Sequence, residues 1–506
     1  MKARYVVWAL MMPAFLTATA QETYENANIA TEDLNGTARY VGMGGALEAL
    51  GADISTISSN PAGVGFFRSS FASISMGMVS QADARSYENG DKTNASFDQV
   101  GFVYSRPTNN NSYLNVGFNY HKSRNFDFIL SADDRLQNAS QNKLTYEKLR
   151  NEVFVDSKEI TANQLDDIYV RNLLYAADDG NCYYYPATQY IFDRAQQGYI
   201  GVYDFNVSGN LENRLFLGLT IGIHDVHYKH YSDYTEQLET NPEGITYLNV
   251  YDERRITGVG FDVKFGGIYR PIEESPFRIG LYVHSPVMYD LTTKNYTEVT
   301  DGNYTAYAQQ RYDYDMYTPW KFGASLGHTI GTMLALGATY EYSDYAHIDQ
   351  RYKTDDWDYY YDDSSESDEV MNRHTKHTLK GVSTLKVGAE LKPTPELAVR
   401  FGYNYVSPMY RSDGFKDGTL AADGTYVASA TDYTNWKATN RITCGLGYTK
   451  GPVNVDVAYQ YTTTKGEFSP FMNYIDNEFP DDDNVANVVD VKNNRHQLLF
   501  TVGYRF

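Results

Sequence analysis

The sequence predicts an all-β protein: a 14-stranded antiparallel transmembrane β-barrel of the bacterial outer membrane, with a small helical N-terminal segment in its lumen. Three observations predict it. The chain opens on an export signal. Its apolar residues alternate with polar ones along short segments. The connections between those segments alternate strictly between short and long.

The opening MKARYVVWALMMPAFLTATAQ carries Lys2 and Arg4, then an apolar stretch from Tyr5 to about Leu16, then Ala18-Thr19-Ala20. A basic start, a short apolar run and an A-x-A exit define a secretory signal peptide over residues 1–20. No Cys stands at the cleavage site, which argues against a lipoprotein. Beyond residue 20 there is no run of about 18 apolar residues, so a helical membrane protein is excluded.

Composition points the same way. The chain has 47 Tyr, 24 Phe and 4 Trp, and amphipathic Tyr rings suit membrane–water boundaries. Its 64 acidic against 43 basic residues give a net charge of −21, which argues against nucleic acid as a partner. Cys182 and Cys444 are too few for a disulfide framework, and a bridge between them is not expected.

The last strand shows the alternation most clearly. Leu498, Phe500, Val502, Tyr504 and Phe506 alternate with Gln497, Leu499, Thr501, Gly503 and Arg505. A period of two assigns one set to lipid and the other to the lumen. The closing Phe506 resembles the signal read by the barrel-assembly machinery, a partner expected during biogenesis along with outer-membrane lipid. The same pattern predicts strands near 71–79, 97–106, 112–122, 199–209, 213–227, 254–269 and 276–285. It continues near 311–327, 332–345, 375–391, 395–407, 438–450, 452–464 and 494–506.

Links after even strands are short (PTNNNS, NLEN, RPIEESP, HTIGT, KPTP, KGP), and those after odd strands are long. Tight periplasmic turns and long outer loops follow that rule. The long connection 128–198 is expected to hold a helix near Ala162 to Ala177. The acidic run 355–369, DDWDYYYDDSSESDE, reads as a solvated outer loop or as a divalent-cation site without EF-hand spacing.

Residues 21–70 do not alternate. GTARYVGMGGALEALGADISTISSNPAGVGFFR is rich in Gly and Ala, with short helical pieces near 44–50. A 14-stranded lumen is wider than side chains alone can fill, since about 8 strands already suffice for filling by side chains. This segment is therefore expected to plug it. The division is 1–20 signal peptide, 21–70 plug and 71–506 barrel.

The stretch Gly51-Ala52-Asp53, Ser55-Thr56 and Asn60-Pro61-Ala62-Gly63 resembles the N-terminal hatch signature of FadL-type outer-membrane transporters. The motif covers about residues 36–68, while strand count and loop parity extend the resemblance over the mature chain. It implies a 14-stranded barrel with a hatch, and uptake of long-chain fatty acids or other hydrophobic compounds. It also implies Asn60, Pro61 and Ala62 as the hatch motif. Read from their chemistry alone, Asn before Pro marks a turn; whether that turn shapes the hatch or moves in transport stays open.

No enzyme, metal site or cofactor is expected. No GxSxG or HExxH string occurs. His224, His227 and His230 are split by strand periodicity, and His374 and His377 are expected to be split likewise. Aromatics of the outer loops (Tyr183, Tyr184, Tyr185, Tyr359, Tyr360, Tyr361) are either a capture site or interface residues. The leading expectation is passive diffusion of a hydrophobic small molecule past the hatch. Alternatives are a surface binding protein (a haemin receptor or adhesin) and a nonselective porin.

Overall fold

The computed structural model describes residues 22–506 except 83, 88–89, 110, 152–154, 157–158, 161–163, 177–181, 242, 354–364, 419–429, 477–478 and 480–481. The export signal, Tyr359 to Tyr361 and most of the acidic run lie outside the described residues.

Fourteen strands form the wall. They are β1 (Phe71–Gln81), β2 (Thr93–Asn109), β3 (Ser112–Asn125), β4 (Ala187–Leu211) and β5 (Leu215–Leu238). Next come β6 (Tyr247–Tyr269), β7 (Arg278–His284), β8 (Lys321–Ile330), β9 (Leu334–Asp344) and β10 (Gly381–Leu391). The wall ends with β11 (Leu397–Val406), β12 (Tyr433–Lys450), β13 (Val453–Ser469) and β14 (Val489–Arg505). Each pairs antiparallel with the next, and β14 closes on β1 from Phe71↔Arg505 to Gln81↔Arg495. Closure leaves no free sheet edge around the ring, which is what a strand-built membrane span requires.

Burial decides which face meets lipid. On β5, Leu219 and Ile221 are 46% and 41% exposed while Thr220 is fully buried. On β14, Phe500 is 48% exposed and Thr501 is 2% exposed. Apolar residues outside and polar residues inside invert the pattern of a soluble sandwich. A belt of this kind around a closed barrel belongs to the bacterial outer membrane. Cys444 lies in the exposed belt and Cys182 in an outer loop, both as free thiols.

All 14 expected strands are present, and the short turns stand where expected. Gly331 and Gly451 take φ of +56° and +60° in two of them, a conformation open to glycine. The outer loops differ from expectation. Strands continue far above the belt: β5 runs to Leu238, and a hairpin of Met288–Thr300 and Thr305–Tyr317 occupies the loop expected at 286–310. Above the membrane the outward positions become polar. The hydrophobic alternation fades although the backbone pairing does not. The strand expected at 311–327 is broken at Thr318-Pro319-Trp320, because Pro319 offers no N–H to a ladder.

Two helical readings also change. The long outer connection holds α3 (Gln141–Arg150), which the sequence reading missed, and α4 (Gln164–Ile168), which continues as a wider turn through Leu173. Leu144, Tyr169, Phe468, Phe471 and Phe192 form the core of this outer cap. Residues 369–378, partly assigned to a strand, form α5 (Glu369–Thr378). Asp368 caps it by accepting from the Met371 N–H. His374 and His377 are therefore one helical turn apart, and the period-two argument for separating them does not hold.

Candidate functional site

Residues 22–70 lie inside the barrel. They form α1 (Thr23–Ala30), α2 (Ala38–Gly42), a tight-turn stretch over 43–50 and a 3₁₀ turn at Pro61–Phe66. The segment is seated by two kinds of contact. The first is steric. A Cβ on Gly218, Gly266, Gly337, Gly388 or Gly402 would overlap the segment at Pro61, Asn60, Ala46, Met43 or Gly44. Five strands thus present glycine so that backbone can lie against backbone or a polar cap. The second is electrostatic. Glu22 pairs with Arg254 at 2.8 Å, Glu48 with Lys386 at 2.9 Å and Arg39 with Glu390 at 3.0 Å. All six groups are buried or partly buried. Removing one partner would strand a charge, which is strongly destabilising.

Asn60, Pro61 and Ala62 sit at this seat. Asn60 caps the 3₁₀ turn by accepting from the Ala62 N–H at 3.2 Å, and its Nδ2 donates to Glu48 O at 3.0 Å. Pro61 begins the turn, where its missing N–H costs nothing. Ala62 packs on Phe216 and Ile268 of the wall. The three residues act together as a wedge against β5 and β6.

A second contact was not legible in the sequence. Pairing of β2 with β3 ends at Gln99↔His121. Asp98 is an extra residue in β2 opposite β1, where Ser75 faces Gln99 and Met76 faces Phe97. Such a bulge terminates pairing and re-aims side chains. Above it, β3 takes the plug as its partner instead. Asp33 N donates to Ser123 O at 2.7 Å, and Asn125 N donates to the Asp33 carboxylate at 3.0 Å. Asn35 Nδ2 donates at 3.0 Å both to Asp98 Oδ1 and to Lys122 O. The strip Asp33–Asn35 therefore covers a place where two wall strands part.

Behind that strip lies a cavity of about 290 Å³. Tyr24, Phe126, Phe128, Tyr410, Tyr433 and Trp436 give it an aromatic outer part. Tyr24 stacks on Tyr410 with centroids 5.1 Å apart. The lower part is charged. Arg124 and Arg441 reach Asp33 at 3.1 and 3.8 Å, and Arg495 lines the same space. An aromatic pocket ending in guanidiniums can hold an apolar body with an anionic end. Inward cations on alternating strands were the available clue, since a lumen-facing Arg or Lys needs a partner somewhere in the plug.

Of the other expected candidates, His224 and His230 face inward and His227 outward, as the strand period requires. Tyr183 and Tyr184 stand apart from the cavity in the outer cap, and Tyr185 is buried there. Among the described residues, no group of three or more His, Cys, Asp or Glu could hold a metal ion.

No protein-family model and no curated protein matches the sequence. Solved structures do match in shape. A Pseudomonas aeruginosa FadL homologue aligns with TM-score 0.51 at 11% identity, over 94% of this chain and 99% of its own. The fold is that of a FadL homologue. The closed 14-stranded barrel with helices in its N-terminal segment matches that fold. The Ralstonia pickettii toluene transporter TbuX aligns at TM-score 0.49 and the P. putida toluene transporter TodX at 0.47. Both are 11% identical over 94% of this chain and 99% of theirs.

Proposed function

We infer that this protein admits hydrophobic or amphipathic small molecules, such as long-chain fatty acids, across the outer membrane by passive diffusion. The observation that carries this reading is the exchange of partners at β3. An aromatic cavity meets the wall where β2 and β3 separate, and the plug strip Asp33–Asn35 covers the gap, beside a Lys122 Nζ–Ser96 Oγ bond at 2.7 Å. A hydrophobic solute gains about 0.8 kcal/mol per CH₂ by staying out of water. A route from cavity to bilayer through that gap keeps it dry. An anionic head group would compete with Asp33 for Arg124, Arg441 and Arg495, and so loosen the strip that closes the exit. The seated wedge at Asn60-Pro61-Ala62 would meanwhile keep the lumen shut to ions.

Purified barrel should bind oleate and a small aromatic with displacement of a fluorescent fatty-acid probe. Proteoliposomes carrying it should take up either faster than empty ones. Uptake indifferent to the protein would sink the reading. The folded outer cap favours a second reading, a surface binding protein. Haemin titration tests it: a Soret shift lost on substitution of a cap Tyr or His would favour a receptor.

A further inference from the structure

Above the apolar belt, the outward face of the sheet carries one row of a single sign. Lys229 of β5 faces Arg255 of β6, Arg255 faces Lys294, and Lys294 faces Arg311 in the outer hairpin. Their sequence neighbours Tyr228, His230, Arg254, Ile256, Thr293 and Asn295 are buried, so Lys229, Arg255 and Lys294 lie on the outer face, and Arg311 joins them there by its pairing with Lys294. Arg255, Lys294 and Arg311 are exposed. Directly opposed residues have Cβ atoms about 4.5–5.5 Å apart, and like charges there are destabilising. Arg311 has Asp313 at 3.1 Å. Among the described residues, the other three have no carboxylate within ion-pair distance. The four stacked cations repel one another, and an anion laid along the row would relieve that repulsion.

Height narrows the choice. The belt ends on these strands at Ile223, Val259 and Met288, four to six residues below the row. At about 3.3 Å per residue and a tilt of about 40°, the row stands roughly 10–15 Å above the hydrocarbon. A phospholipid headgroup zone is only about 5–8 Å deep. Tyr231, Glu253 and Tyr296 stand in the next row up, and Asp233, Tyr251, Glu298 and Tyr307 in the row above that. The Tyr251–Tyr296 and Tyr296–Tyr307 ring centroids are 6.3 and 6.2 Å apart. Amphipathic ring faces beside guanidiniums suit sugars that carry phosphate.

We propose that this face binds the phosphorylated saccharide head group of the outer-leaflet glycolipid, lipopolysaccharide. The phosphates bridge Lys229, Arg255, Lys294 and Arg311, and the sugars lie on the tyrosines. The assignment stands apart from the transport reading, since no residue in it lines the lumen.

The test titrates detergent-purified barrel with lipopolysaccharide, with the same lipid after phosphatase treatment, and with inorganic phosphate. Bound lipid is read by native mass spectrometry and stability by Tm. Wild type should retain the phosphorylated lipid and gain Tm. Variant K229Q/R255Q/K294Q should bind at least tenfold more weakly, yet be no less stable without lipid, because it loses the like-charge contacts. If the triple variant does not fold, R255Q carries the same comparison. Equal binding by variant and wild type overturns the proposal. So does a Tm gain reproduced by inorganic phosphate or by dephosphorylated lipid.

Discussion

Asn35 in the plug and Asp98 in the wall are joined by a 3.0 Å hydrogen bond across the place where β2 and β3 stop pairing. Asp98 is there because β2 bulges by one residue, and Asn35 is there because α1 and α2 hold the strip between them along β3. The same Asn35 amide reaches Lys122 O on the far side of the gap. One side chain thus substitutes for ladder bonds that two strands do not make.

Replacing Asn35 with Ala should open this gap more often. Each lost hydrogen bond is worth about 1 kcal/mol, and the stranded buried acceptors add to that. We expect faster fatty-acid uptake into proteoliposomes and weaker amide protection at residues 122–125. Unchanged uptake with changed protection would mean that solute leaves elsewhere.

The glycine seat makes a sharper steric prediction. Gly218→Val or Gly402→Val places a side chain where the plug backbone lies, so the plug should be unseated while the barrel still closes. Limited proteolysis should then cut within residues 22–70, and single-channel conductance should rise. Gly267→Ala is the control, because its Cβ would come no nearer than 3.6 Å to a neighbouring atom.

Asn60→Ala removes a cap and the bond to Glu48 O. Loss of such a cap costs about 1 kcal/mol. Hydrogen exchange at residues 60–66 should accelerate, and uptake should change through the altered seating. If exchange there stays as slow as in wild type, the wedge is held by glycine packing alone.

The outer cap should respond to pH. Burial, and then the Asp482 carboxylate, push Glu147 of α3 from the usual 4.5 up to about 7. The folded cap therefore prefers the protonated acid. Its stability is greatest below about 4.5 and falls as pH rises from there to about 7. Protease resistance of residues 141–150 should decrease over that window, and Glu147→Gln should flatten the decrease. A cap equally resistant at pH 4.5 and 7.5 would contradict the assignment.

Much of the wall was legible because its signal is local. Leu498, Phe500 and Val502 report a lipid face by spacing alone, and Pro319 could have announced the break that the expected strand 311–327 passed over. The strand extensions were hidden for a chemical reason. At Tyr251, Glu253 and Arg255 the outward face meets water and not lipid, so alternation no longer shows in hydropathy. The site was legible only in part. Asn60-Pro61-Ala62 marked the plug, but nothing near Asn35 marks a contact.

By itself, the chain determined a 14-stranded membrane barrel with a plug before its first strand, because period-two patterning and turn spacing are properties of neighbouring residues. Only the tertiary structure decided how the plug is held and where the wall parts. Asn35 lies 63 residues from Asp98 and 87 from Lys122. Gly218 is reserved for Pro61 by a clash that exists only when both occupy one lumen. Such relations depend on which distant residues barrel closure brings together, and hydropathy along the chain does not encode them.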